Sequence, residues 1–174
     1  MKIAIGGLPG SGTTTSARLI ERNLGYKHIY AGMIFRDLAK NKGMSLKEFS
    51  DLAEKDEEID RLIDEKQKKL SERYENCVVE GRMAAHFVDA ELKVWLTASI
   101  DVRAKRVGGR EKKNLKKSKK EIREREKSEK KRYKKFYKID MDDLSPYDLV
   151  INTEKWVPAG VFKIIEKAIK VKKW

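Results

Sequence analysis

The sequence is poor in the residues that would staple, embed or divide it. A single cysteine, Cys77, among 174 residues excludes an internal disulfide, and its place in the run Cys77-Val78-Val79 reads as a buried strand position rather than a nucleophile. No apolar stretch approaches the roughly 20 residues of a membrane span, and the N-terminus lacks the pattern of a secretory signal. A soluble cytoplasmic protein without membrane partners is expected, as a monomer. Histidine occurs twice, as His28 and His86, and both read as structural. There are three prolines, no Ser/Pro-rich linker and no internal repeat, so one domain with a sizeable core is expected.

Acidic residues are scarce in one segment only. Residues 102–138 hold 19 Lys/Arg against 5 Asp/Glu, an excess of 14 in a chain whose net charge is +13. The remainder is close to neutral, so basicity is a local property and a poor argument for a nucleic-acid partner. Within the basic segment the aromatics Tyr133, Phe136 and Tyr137 leave a base-stacking module as a reading of another class.

Glycine, in contrast, is concentrated. The stretch Ile3-Ala4-Ile5-Gly6-Gly7-Leu8-Pro9-Gly10-Ser11-Gly12-Thr13-Thr14-Thr15 is a short apolar strand, then a glycine-rich loop, then the start of a helical pattern. Such a loop wraps a phosphate, because glycine takes positive φ and lets backbone amides approach, and the following helix adds its positive end. The spacing of Gly7, Gly12 and Thr14 is that of a phosphate-binding loop with a hydroxyl in the metal-facing place. Thr13 stands where that pattern has lysine. This departure leaves room for a phosphate sensor with little catalysis.

Along the chain, strands and helices alternate. After the helix Thr14 to Leu24, stopped by Gly25, His28-Ile29-Tyr30 reads as a second strand, broken at Ala31-Gly32. Helices follow around Phe35 and Leu38, after the capping box Ser45-Lys47-Glu48, and through Ile59, Leu62, Ile63 and Leu70. Cys77–Glu80, Leu92–Leu96 and Leu149–Ile151 read as further strands, and Pro158 opens a final helix. A helix beginning near Ile100 is followed by the hinge candidate Gly108-Gly109. A second capping box, Ser118 to Glu121, opens a helix to about Phe136 that is polar nearly all round and is expected to cover the core loosely. The alternation predicts an α/β fold with a five-stranded parallel sheet wrapped by helices, whose ligands bind at the strands' carboxyl ends. The loop, Gly32 and Glu80-Gly81-Arg82 share that rim.

Taken alone, Arg36 suits either a ligand contact early in its helix or an exposed helix arginine, and Asp60 and Asp64 suit a base edge or, with more weight, a solvated helix face. Arg125, Glu129 and Arg132 fall at i, i+4 and i+7, on one helix face. Two guanidiniums beside a carboxylate suit a phosphate and a sugar hydroxyl, but spacing alone favours an ordinary ion-pair ladder on a solvated helix. Arg103, Arg106 and Arg110 lie close to Gly108-Gly109, placed either to swing over phosphates or to solvate the surface.

Five pieces then stand in register: Gly7–Thr15, Ala31-Gly-Met-Ile-Phe-Arg36, Val79-Glu-Gly-Arg82, Arg125–Arg132 and Tyr147-Asp-Leu-Val-Ile-Asn-Thr153. Together they resemble the nucleoside monophosphate kinases, most closely the archaeal type of cytidylate kinase. The resemblance implies a P-loop kinase core (1–31, 76–101 and 139–174), a helical acceptor-binding insertion (32–75) and a mobile lid (102–138). It assigns Gly7, Leu8, Pro9, Gly10, Ser11, Gly12, Thr13, Thr14 and Thr15 to ATP, with Thr14 on Mg²⁺ and Glu80 behind it. Gly32, Arg36, Glu80, Gly81, Arg82, Arg125, Glu129 and Arg132 go to the acceptor, Arg106, Arg110 and Arg125 to catalysis with Arg103 also in the lid, and Asn152 and Thr153 to the adenine. The implied reaction is Mg·ATP with CMP or dCMP giving ADP and CDP or dCDP, with UMP or AMP as alternative acceptors.

Overall fold

A computed structural model describes residues 1–172. Five strands form one sheet: β1 (Lys2–Gly7), β2 (Lys27–Tyr30), β3 (Cys77–Glu80), β4 (Leu92–Thr97) and β5 (Leu149–Asn152). Every pairing is parallel, and the order across the sheet is β2-β3-β1-β4-β5. Parallel neighbours need crossover connections, and helices supply them. They are α1 (Thr13–Leu24), α2 (Ala31–Asn41), α3 (Leu46–Ala53), α4 (Glu57–Glu72), α5 (Ala84–Phe87), α6 (Ile100–Glu111), α7 (Leu115–Tyr137) and α8 (Pro158–Val171). None of the described helices is long and apolar enough to cross a membrane.

Period-two alternation decides which residue meets which layer. Ile3 and Ile5 pack with Val78, Val94 and Leu96 against Ile20 of α1 and Phe162 and Ile165 of α8. Ala4 and Val79, one residue out of phase, pack on the other face with Ala84, Ala85 and Val88. The small residues there let the short α5 lie close to the sheet. The segment α2–α4 has its own apolar centre, in which Phe49 and Ala53 are fully buried beside Ile59 and Ile63. Its middle helix begins with the expected box, since Ser45 and Glu48 cap each other's backbone amides.

The basic segment departs from its sequence reading in three ways. Ser118 is no cap: Asn114 caps α7, accepting from the Lys117 amide at 2.8 Å, and Ser118 is buried inside the helix. Gly108-Gly109 is no break either, because α6 runs through both. A Cβ on Gly108 would lie 2.8 Å from the Lys113 carbonyl oxygen, so glycine there permits α7 to turn back tightly onto α6. Nor does α7 cover the core loosely. Tyr133 is buried with Met83, Trp95 and Met141, and Glu129 and Arg132 are buried beside it. The inner face of α7 is charged yet inaccessible, so its low hydrophobicity disguises a packed helix.

Phe49 fills the centre of the α2–α4 cluster without exposure. Phe49→Ala is expected to lower unfolding free energy by about 3–5 kcal/mol, measured by urea denaturation. A loss below about 1 kcal/mol would show that the cluster contributes little to overall cooperativity.

Candidate nucleotide site

The loop between β1 and α1 turns at the carboxyl edge of the sheet, with Gly10 at φ +82° and Gly12 at φ +103°. At Gly10 a side chain would also meet the backbone of Arg103, 2.7 Å from its carbonyl oxygen, so both conformation and space require glycine. Leu8 anchors the loop by packing on the Met83–Trp95 cluster, and the Pro9 carbonyl accepts from Arg103. The Ser11 hydroxyl is buried without a hydrogen-bond partner, an orphan of the kind a bound ligand satisfies. A cavity of about 340 Å³ opens here, lined by residues 10–16 together with Arg106, Arg110, Thr153, Trp156 and Pro158. The α1 N-terminus borders it, so its free amides and dipole favour an anion.

Beneath the loop lies one carboxylate. Glu80, at the end of β3, accepts from the Thr13 hydroxyl at 2.8 Å and from the Thr14 hydroxyl at 2.6 Å, both through Oε1. His28 Nε2 meets its other oxygen, Oε2, at 2.9 Å. Glu80 is therefore tied to the loop, as its expected place behind Thr14 requires. Among the described residues no three His, Cys, Asp or Glu side chains form a metal cage. Mg²⁺ asks for less: one or two hard protein oxygens, with phosphate and water completing its octahedron. Thr14 and Glu80 fit such an ion arriving with a nucleotide.

The three arginines of α6 divide. Arg103 is buried, donating to the Ala98 and Pro9 carbonyls and pairing with Glu126, so its expected place among phosphate-contacting lid residues is corrected to a structural one. Arg106 lines the cavity and donates to the hydroxyl and carbonyl of Thr153, both at 2.9 Å. Arg110 lines it too, is two-thirds exposed, and among the described residues pairs only with its neighbour Glu111. Thr153 is buried and donates to the Ser11 carbonyl at 2.7 Å, so it ties the chain after β5 to the loop. Asn152 caps the short 3-10 turn behind it.

Across the rim, Glu129 binds two arginines at once. The Arg125 Nε donates to Oε1 at 2.8 Å, and the Arg82 Nε pairs with Oε2. Using Nε leaves the outer donors of both forks without a protein partner among the described residues. Burial alone would raise the Glu129 carboxyl, but Arg82, Arg125 and Arg132 together hold it below the usual range. Burial lowers the Arg82 guanidinium, with Glu129 opposing. Arg132, the third of the face, donates its Nε to Asp60 at 2.9 Å. The sequence spacing thus brings Arg125 and Glu129 together, whereas Arg132 turns to α4. Arg36 is exposed, its guanidinium 5.0 Å over the Tyr30 ring, and a Cβ on Gly32 would strike that same ring. Gly81 leaves room for Gln67, whose amide donates to the Glu80 carbonyl at 3.0 Å.

Sequence reasoning missed Asp60 and Asp64, which are not solvated. Asp60 is buried against Arg132, and Asp64 accepts from the Tyr137 hydroxyl at 3.0 Å. Burial, opposed by that hydrogen bond and reinforced by the Asp60 charge, pushes the Asp64 carboxyl up to about 7. The signal was available in part, since Asp60, Asp64 and Gln67 share a helical face with the buried Ile63. Trp156 was also missed, for a single exposed aromatic after a strand carries no pattern. Tyr133 and Tyr137 are engaged inside the fold, which removes two of the three aromatics from the stacking alternative. A shallow groove of about 590 Å³ on the outside of α7 is lined mainly by lysines and includes no loop residue.

With this geometry in place, comparisons place the chain. Residues 2–155 match the cytidylate kinase-like family. A cytidylate kinase of Archaeoglobus fulgidus is 52% identical over 99% of this chain and 97% of its own. Those of Pyrococcus horikoshii and Methanobrevibacter smithii are 51% and 47% identical, covering 96% and 98% of this chain and 87% and 99% of theirs. Among solved structures, a shikimate kinase of Aquifex aeolicus superposes with a TM-score of 0.59 at 22% identity, over 98% of this chain and 96% of that one. One from Bacteroides thetaiotaomicron gives 0.65 at 16%, over 98% and 99%. At such identities these two show the P-loop kinase fold alone.

The raised Asp64 carboxyl has a consequence for stability. It binds a proton in the folded state that it releases in the unfolded chain between about pH 4 and 7, so this group favours folding at low pH and loses that contribution as pH rises through about 7. Asp64→Asn is therefore expected to gain stability relative to the parent on going from pH 5 to pH 8. Thermal melts at both pH values read the difference; parallel shifts of parent and variant would refute the raised carboxyl.

Proposed function

The chain belongs to the cytidylate kinase-like family, and we propose that it moves the γ-phosphoryl group of ATP to CMP or dCMP, giving ADP and CDP or dCDP. The observation that supports this reading most is a pair of anion sites on one rim of the sheet. One is the glycine loop with the α1 N-terminus; the other is the Arg82–Glu129–Arg125 clamp. A kinase that joins two phosphates needs both.

In this reading the loop amides hold the β-phosphate of the donor, and the cavity beside Arg106, Trp156 and Pro158 receives the rest of the nucleotide. Thr14, with Glu80 behind it, would hold Mg²⁺ arriving with the nucleotide, and the ion would supply positive charge to offset that which develops in transfer. The two forks of Arg82 and Arg125, with Arg36 reaching in from α2, take the acceptor phosphate. One of its oxygens forms the new bond to the γ-phosphorus while the bond to the β-bridging oxygen breaks, and the electron pair leaves with ADP. That oxygen is already ionised, because the second pKa of a phosphate monoester is near 6. No general base is needed, and none is offered by the site.

Thr13 supplies no ammonium, so the charge a loop lysine would meet falls to backbone amides, the metal and the arginines of α6. Arg106 is fixed by Thr153, whereas Arg110 is exposed and held only by its neighbour. Arg110 is thus the residue free to close over the transferring group and exclude water. Residues 32–75 serve as the acceptor-binding insertion. The α6–α7 connection forms the moving part of the lid, while the second half of α7 stays anchored through Arg132–Asp60 and Tyr137–Asp64.

Coupled detection of ADP release with Mg·ATP and each of CMP, dCMP, UMP, AMP and GMP tests the reading. Turnover with CMP or dCMP in clear preference is the expected result. Preference for another monophosphate would overturn the base assignment, and no turnover at all would move the weight to nucleotide sensing through Thr13. Arg110→Ala is expected to lower kcat on the order of 10³-fold while leaving ATP affinity nearly unchanged. Equal losses in both would place Arg110 in ground-state binding.

A further inference from the structure

We propose that His28 is a positioning residue that holds Glu80 in the one orientation able to serve the donor metal, and that it joins the donor loop to the acceptor arm. The inference rests on the reading of the glycine loop as the donor site. His28 lies on β2, two strands away from β1, where neither the loop motif nor the acceptor residues would place a partner. Yet its Nε2 is 2.9 Å from Glu80 Oε2, with nine-tenths or more of both side chains buried. A carboxylate only accepts, so Nε2 carries the proton in this contact.

The division of labour on the carboxylate matters. Oε1 already accepts both loop hydroxyls, from Thr13 and Thr14. Without a donor on Oε2, the group would be held through Oε1 alone, and a buried oxygen would lose the one partner it has among the described residues. A carboxylate of this kind that backs a metal site is typically fixed by the groups behind it, and their removal weakens metal binding while sparing the rest of the fold. His28 is such a group for Glu80.

The same ring has a second neighbour. His28 and Tyr30 stack with centroids 5.8 Å apart and planes at 19°, and Tyr30 carries Arg36 on its ring at 5.0 Å. Glu80, His28, Tyr30 and Arg36 therefore form a continuous row from beneath the donor loop to an arginine of α2. The ring that holds Glu80 thereby also supports, through Tyr30, the arginine on the acceptor side.

Two substitutions separate the two contacts. His28→Gln offers an amide Nε2 to Glu80 but no ring for Tyr30, and His28→Phe offers the ring without a donor. Binding of ADP is measured by calorimetry with and without Mg²⁺, in the absence of acceptor, on proteins whose thermal melts establish folding. His28→Phe is expected to weaken Mg·ADP binding about tenfold, leave metal-free ADP binding within about twofold of the parent, and so reduce the affinity gained from the metal. His28→Gln should recover most of that gain while raising the KM for CMP through misplacement of Arg36.

Equal weakening of ADP with and without Mg²⁺ in His28→Phe would reduce His28 to a structural residue and overturn the inference. So would full Mg·ADP affinity in that variant, or a His28→Gln variant as impaired as His28→Phe. A parent protein that binds no ADP under either condition would overturn the donor reading itself, and the inference with it.

Discussion

A negative charge buried at the end of the strand beside β1 sets the terms for the loop above it. Glu80 is almost inaccessible, and an isolated ionised carboxyl in such a place is costly. In a loop with lysine at the position of Thr13, an ammonium would stand close by. Here compensation comes from two hydroxyls and an imidazole. None of the three is a lysine or arginine, so no permanent cation stands against the carboxylate before one arrives with the nucleotide. The glycine turn, the two threonines that begin α1 and the choice of histidine on β2 are intelligible as one arrangement around that oxygen pair.

The arginine cluster across the rim, proposed for the acceptor, solves the opposite problem. Three guanidiniums, of Arg82, Arg125 and Arg132, stand against the carboxylates of Glu129 and Asp60, and burial raises the Asp64 carboxyl, which weakens its claim to a charge. The cluster carries surplus positive charge before any ligand arrives. Part of this charge is structural, because Arg132 and Asp60 fasten α7 to α4 with both groups buried, and removing one partner of such a pair strands the other. The unsatisfied part is on the outer donors of Arg82 and Arg125, where a dianionic phosphate would restore balance. Glu129 does two things at once. It lowers the repulsion between two arginines, and by taking only their Nε atoms it leaves the outer donors of both without a protein partner among the described residues.

Much of this was legible in the sequence, and the limits have physical causes. The five strands and their helices follow from apolar runs, glycine stops and proline starts, because those signals act within a few residues. The loop was legible for the same reason, as its function is written in backbone freedom at Gly10 and Gly12. The lid helix was misread because amphipathicity was sought in hydropathy, whereas the inner face of α7 is built of charge and tyrosine. Spacing put Arg125, Glu129 and Arg132 on one face but could not say that Arg132 faces Asp60, 72 residues away along the chain. Arg103 looked like its neighbours Arg106 and Arg110 for a similar reason. Only packing distinguishes a guanidinium that tethers Pro9 and Ala98 from one that stays exposed.

Replacing a loop lysine with threonine redistributes function over distance. A lysine meets phosphate charge from within the loop, whether the enzyme is open or closed. When that charge must be met by α6, the donor is fully neutralised only after the arginines have come over it. Arg106 is already tied to the loop through Thr153 and Ser11, so it contributes in either state. Arg110 is not, and its contribution depends on closure. Transfer to water from an open site is then disfavoured by the same absence that appeared to weaken the loop: without Arg110 in place, the γ-phosphoryl group lacks part of its stabilisation whichever nucleophile is nearby. In the proposed reading, the missing lysine would thereby make catalysis conditional on closure by Arg110.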